Sequence, residues 1–137
     1  LINGDMLAHR FKGGNMSHAA FTIKAFAVYL VALGASLVLV PNLMLSLFGF
    51  TPTSEVWIRV LGVVVFNLGW YYWYAAVSEA RPFFAASVVT RVFALLAFTG
   101  LVIAGFASPM LALFGVVDAA GGAWTWLALR KDRSLST

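Results

Sequence analysis

Three polar side chains stand inside long apolar runs: Asn67, Arg91 and Asp118. A charge at the centre of a bilayer costs ~2.5–3.5 kcal/mol on insertion scales, so such residues face the protein interior and find partners there. Arginine is long enough to close the difference in depth between Arg91 and Asp118, and the expected arrangement is an Arg91–Asp118 ion pair with Asn67 nearby. Steps of three and four from Asn67 reach Val63, Val64, Trp70, Tyr71 and Tyr74. An aromatic wall of Trp70, Tyr71 and Tyr74 beside an amide and an ion pair would suit a lipid, a quinone or another amphipathic ligand. The same residues also fit plainer roles. The ion pair can be a clamp on helix register, Asn67 can be interhelical glue, and the aromatics can form an interfacial belt.

Other chemistry is excluded by residue type. Both histidines, His9 and His18, precede the first apolar run, so none is placed to ligate a haem within a bundle. No lysine lies deep in an apolar run after Lys24, which removes a retinal-type Schiff base. Cysteine is absent, and with it thiolate metal sites, disulfides and a thiol nucleophile. Gly13-Gly14 and Gly121-Gly122 lack the context of a nucleotide-binding loop, no His/Asp/Glu metal-hydrolase cluster occurs, and the serines have no histidine partner in the membrane. No cofactor, metal or catalytic residue is expected, and the chain reads as a non-enzyme more readily than as an enzyme.

The elements that position these groups follow from composition. The 137 residues, enough for one domain, are 62% hydrophobic and 10% charged, where a soluble domain carries about 25% charged residues. So few charges cannot cover a water-facing surface, and the mean hydropathy of +0.93 agrees. The net charge of +4 resides at the ends of apolar runs and not in a patch, so nucleic acid is not an expected partner. A hydrocarbon core of ~30 Å requires about 20 helical residues. Four runs meet that length, at about 24–48, 55–78, 82–107 and 109–130. Pro41 should separate the first from a short interfacial turn, Thr53 or Ser54 should cap the second, and Pro82 suits the first turn of the third. Arg59 lies one turn from Glu55, as in a weak solvated pair. With short links, the expected fold class is all-α, an integral membrane four-helix bundle running up-down-up-down. Residues 1–15 are expected to be a non-native or read-through leader before Met16, leaving 16–137 as a single four-helix domain.

Lys24, Arg81, Arg130, Lys131 and Arg133 fall on one side of these spans and the opposite links carry no lysine or arginine, so both termini are expected to be cytoplasmic. On the fourth span, Asp118 shares its face with Phe114, Gly115, Gly121, Gly122 and Thr125, and Gly115, Ala119 and Ala123 form a small-residue series beside it, both suited to close helix approach. The four short spans invite comparison with small multidrug transporters, but the first span lacks their acidic residue. Met44–Gly49 and Met110–Gly115 echo each other as chance similarity between apolar strings, and the topology places both at the same membrane face, packed close together.

The strings PNLMLSLFGF, TSEVWIRVLG, RPFFAASVVTR and MLALFGVVDAAGGAWTWLALR resemble a group of small bacterial four-helix membrane proteins, similar in architecture to the DoxX-like proteins, over about residues 24–130. The resemblance implies a bacterial inner-membrane location and, for some relatives, a subunit role in sulfur-compound oxidation linked to quinone; it carries no catalytic motif. Three functions follow as expectations. The first is an accessory or structural subunit of a membrane complex, because almost nothing lies outside the bilayer. The second is a lipid- or quinone-binding protein linked to an oxidoreductase. The third is a small transporter using the Arg91–Asp118 pair. Expected partners are the lipid bilayer, a hydrophobic ligand such as a lipid or quinone, and a membrane protein or a further copy of the chain.

Overall fold

With no water to satisfy backbone groups inside a bilayer, each apolar run closes its hydrogen bonds internally as a helix. A computed structural model describes residues 15–136, and the leader expected over 1–15 lies outside them save Asn15. The elements are α1 (His18–Leu39), α2 (Pro41–Leu47), α3 (Trp57–Val77), α4 (Arg81–Ile103) and α5 (Met110–Leu135). All but α2 are long and apolar enough to cross a membrane. The chain is therefore an all-α, multi-pass membrane bundle whose long helices alternate in direction.

Prolines and caps set the boundaries. Val40 leaves helical geometry at φ −134, ψ 58, and Pro41, which has no N–H to continue the ladder, opens α2. Beside that break Arg59 Nη1 donates to the Val38 carbonyl. The expected Glu55–Arg59 pair is accordingly not made among the described residues. Neither Thr53 nor Ser54 caps α3, which begins at Trp57 after Val56 with no side-chain cap; Thr53 Oγ1 instead accepts the Glu55 N–H at 3.1 Å ahead of it. The first span starts earlier than residue 24 because Ser17 Oγ accepts the Ala20 N–H at 3.1 Å. The charged tail after Leu129 continues α5 as helix to Leu135.

The bundle is two tight pairs joined along one edge. Helix α1 packs most extensively on α3, and α4 on α5, while α1 also bridges to α5. In the first pair the backbones nearly touch, since a Cβ on Gly34 would stand 2.7 Å from the Gly62 carbonyl oxygen and one on Gly62 2.9 Å from the Gly34 oxygen. In the second pair Gly115 opposes Leu95, with 2.9 Å between a built Cβ and the Leu95 Cα. Of the small series on this helix, Gly115 is buried, Ala119 half-buried and Ala123 exposed. Helices α3 and α4 meet near their connecting turn, where Tyr72 and Phe83 stack edge-on at 4.9 Å, but share little contact elsewhere. The two echoing strings do pack together, with Phe48 and Phe114 centroids 4.3 Å apart.

Candidate functional site

Arg91 is the point where all four long helices converge. It projects from α4 and is only 3% exposed. Room for its stem comes from α5, where a Cβ on Gly122 would lie 3.3 Å from Arg91 Cβ and one on Gly121 3.2 Å from Nη1. The guanidinium carbon sits 3.7 Å from the centroid of Phe26 on α1 and 5.3 Å from that of Tyr72 on α3, within cation–π range of both. Nη1 donates to Thr125 Oγ1 on α5 at 3.4 Å, and that hydroxyl stands 2.8 Å from Thr22 Oγ1 on α1. Nε and Nη2 are buried and find no hydrogen-bond partner among the described residues.

Asp118 lies on the same side of α5 but looks elsewhere. It is half-buried and lines a cavity of about 430 Å³ with Tyr29, Leu33, Leu61, Leu68 and Phe98 among others. This cavity is lined from all five helices and lies where α3, with Leu61 and Leu68, and α4, with Phe98, stand apart. A second cavity of about 320 Å³ shares Tyr29, Leu33, Met44, Phe48 and Phe114 with it. The expected direct Arg91–Asp118 ion pair is not made. Thr125, which receives the guanidinium, is seven residues beyond Asp118, ~10 Å along the helix, and Phe26 draws the cation the same way.

Asn67, Trp70, Tyr71 and Tyr74 do not join Arg91. All four are exposed on the outward side of α3, and Trp70, Tyr71 and Tyr74 are 66%, 66% and 74% exposed. The inward side is set by Ile58, Gly62, Gly69, Tyr72 and Ala76, so of the aromatic run Trp70–Tyr74 it is Tyr72 that is buried and packs at a tilt on Phe26, with centroids 5.2 Å apart. The sequence reading does not single out Phe26, Tyr29 or Thr22, and it places Thr125 on the Asp118 face without giving it or Tyr72 a part in the site. A usable signal was present in Gly62, Gly69 and Ala76, small residues at seven-residue spacing that mark the packed face of α3.

It also overlooked the clamp at the end carrying the termini. Asp132 accepts the N–H groups of His18 at 3.1 Å and Ala19 at 2.9 Å, and its Oδ1 stands 2.8 Å from His18 Nδ1. Glu79, held at φ 52 in the α3–α4 turn, accepts from the Ser17 N–H at 2.9 Å and its hydroxyl at 2.7 Å. Two carboxylates thus satisfy the orphan donors at the positive end of α1 and tie it to the end of α5 and to the α3–α4 turn. Asp132→Ala should lower unfolding stability in detergent by about 2 kcal/mol, and Asp132→Asn by about half as much because one acceptor oxygen survives. Equal melting of all three proteins would show that the clamp adds no stability.

No family model matches this chain, and neither does any curated protein or solved structure.

Proposed function

We propose that this membrane protein binds a lipid-soluble, amphipathic molecule in the cleft between α3 and α4. The observation that carries this is the cavity of about 430 Å³, apolar along its length and provided with the Asp118 carboxyl and the Tyr29 phenol. Ligand sites of ~300–1,000 Å³ are typically apolar with a few convergent polar groups that fix orientation. A lipid or quinone-like molecule would lay its apolar body against Leu33, Leu61, Leu68 and Phe98 and bring its polar head to Asp118 and Tyr29. The gap between α3 and α4 gives such a molecule a way in from the bilayer without crossing water. The DoxX-like resemblance points toward the same ligand class and a bacterial inner membrane. The basic residues at the termini end favour a cytoplasmic placement of both termini. Service as an accessory subunit of a membrane complex is compatible with this binding. The transporter reading rests on a joined Arg91–Asp118 pair, and that contact is not made.

Native mass spectrometry of protein released from its own membrane in mild detergent tests the proposal. A retained apolar molecule is expected, and Leu61→Trp, which fills the cavity from α3, should expel it while the protein still melts cooperatively. A wild-type protein with nothing bound, or retention indifferent to Leu61→Trp, would overturn it.

A further inference from the structure

Asn67 is the middle residue of α3, whose bounds are Trp57 and Val77, and its side chain is exposed on the side away from α1. Its amide makes no hydrogen bond among the described residues. A bilayer offers no water at that depth, so an amide there requires a partner from another molecule. The residues around it form a pattern. Val56, Val60, Val63, Asn67, Trp70 and Tyr74 follow one another at alternating steps of four and three, the spacing of a coiled-coil seam. The five apolar members are between 49% and 74% exposed. Exposed apolar residues are ordinary on a lipid-facing helix and would mean nothing alone; the unpaired amide in their midst distinguishes this face.

We infer that α3 is the interface of a homodimer, in which two copies pair along this seam and their Asn67 amides hydrogen-bond to each other. The chemistry selects a second copy over another protein. A carboxamide is both donor and acceptor, so two of them are mutually complementary. Two copies inserted in the same direction are related by a two-fold axis along the membrane normal, which makes the α3 helices parallel and puts both Asn67 side chains at one depth. A different partner would have to supply a matching polar group at the bilayer centre independently. In parallel pairs, a single Asn in an otherwise apolar seam fixes register and the number of chains. Valines along half of the seam permit close approach, and Trp70 and Tyr74 cover the half toward the termini. The seam lies opposite the face packed on α1 and leaves the α3–α4 cleft open, so dimer and ligand site are independent of each other.

The chain has no cysteine, so single cysteines report contacts without background. Val60→Cys and Val63→Cys, oxidised in native membranes, should give disulfide-linked dimers. Val89→Cys on α4 and Leu127→Cys on α5, 69% and 57% exposed in the parent, should not. Adding Asn67→Val to Val60→Cys should weaken association about 5- to 30-fold, and Asn67→Gln, which keeps an amide, should restore most of it. Thermal melting of the Asn67 variants, compared at a dilution in detergent where the parent is also monomeric, should match the parent because the amide has no partner within the chain. Absence of seam cross-links, equal cross-linking at the control positions, indifference to Asn67→Val, or a fall in its melting temperature would each overturn the proposal. Cross-linking of the seam cysteines to a different protein in place of a second copy would do so as well.

Discussion

Gly34→Leu is expected to abolish assembly of the bundle, and Gly34→Ala alone to cost about 3 kcal/mol. A Cβ on Gly34 would stand 2.4 Å from the Phe66 nitrogen, 2.7 Å from the Phe66 Cα and 2.7 Å from the Gly62 oxygen. All three atoms are backbone, so no rotamer change relieves the clash and α3 must move away from α1. That pair is the most extensive helix contact in the molecule and carries Ile23, Ala27, Leu30, Tyr72, Ala75 and Ala76 of the main core. Overpacking a well-filled interior typically costs 1–3 kcal/mol, and rigid opposition places the alanine near the top of that range. The larger leucine should exhaust a total stability of only ~5–15 kcal/mol. Gly100 is the control, because a Cβ there meets nothing within 4 Å and the residue is exposed on α4. Gly100→Ala should melt at or slightly above the parent temperature. If Gly34→Ala melted with it, the close approach of α1 and α3 would be refuted.

The spans were legible because a membrane imposes its requirement on length and hydropathy alone, and Pro41 and Pro82 announce a break and a first turn through their missing N–H groups. Which side of each helix packs was harder to read. A helix that is apolar all round has no hydrophobic stripe to point inward. The expectation for α3 therefore relied on Asn67 as an inward marker, and this turned the helix the wrong way. Gly62, Gly69 and Ala76 were the better guide, since close packing in lipid depends on small residues more than on apolar ones. On α5, Gly115 and Gly122 did identify the side facing α4.

The termini clamp was illegible for a different reason. Asp132 stands in the run Arg130-Lys131-Asp132-Arg133, which has the composition of a solvated tail. Its role depends on the last helix ending beside the start of the first, where unsatisfied N–H groups wait for an acceptor. Nothing local to either segment records that proximity. Arg91 and Asp118 illustrate an intermediate case. Their depths and shared interior location were readable from the spans, whereas the direction of the guanidinium was decided by Phe26 and Thr125, on two other helices.

That direction changes what neutralising Arg91 should do. A bonded pair would make Arg91→Met cost ~3–5 kcal/mol by stranding the carboxylate, with the loss recovered when Asp118 is replaced as well. In the observed arrangement Asp118 has no direct bond to Arg91 to lose, and Arg91 itself holds two buried nitrogens, Nε and Nη2, without partners. Removing a buried charge that has no bonded partner to strand avoids the loss that breaking an ion pair brings, and its own desolvation cost goes with it. Stacking on Phe26 is forfeited at the same time, so the expected gain for Arg91→Met is about 1 kcal/mol. Retention of the cleft ligand should nevertheless fall, since Arg91, though outside the cavity lining, is the positive charge that acts through space on the Asp118 carboxylate. Asp118→Leu should also lose the ligand, and the Arg91→Met, Asp118→Leu double variant should show a coupling of no more than about 1 kcal/mol in reversible unfolding. Opposite signs for stability and retention are the mark of a charge kept for binding. A destabilised Arg91→Met whose stability returned in the double variant would instead show that the two residues bond in the membrane as a clamp on helix register.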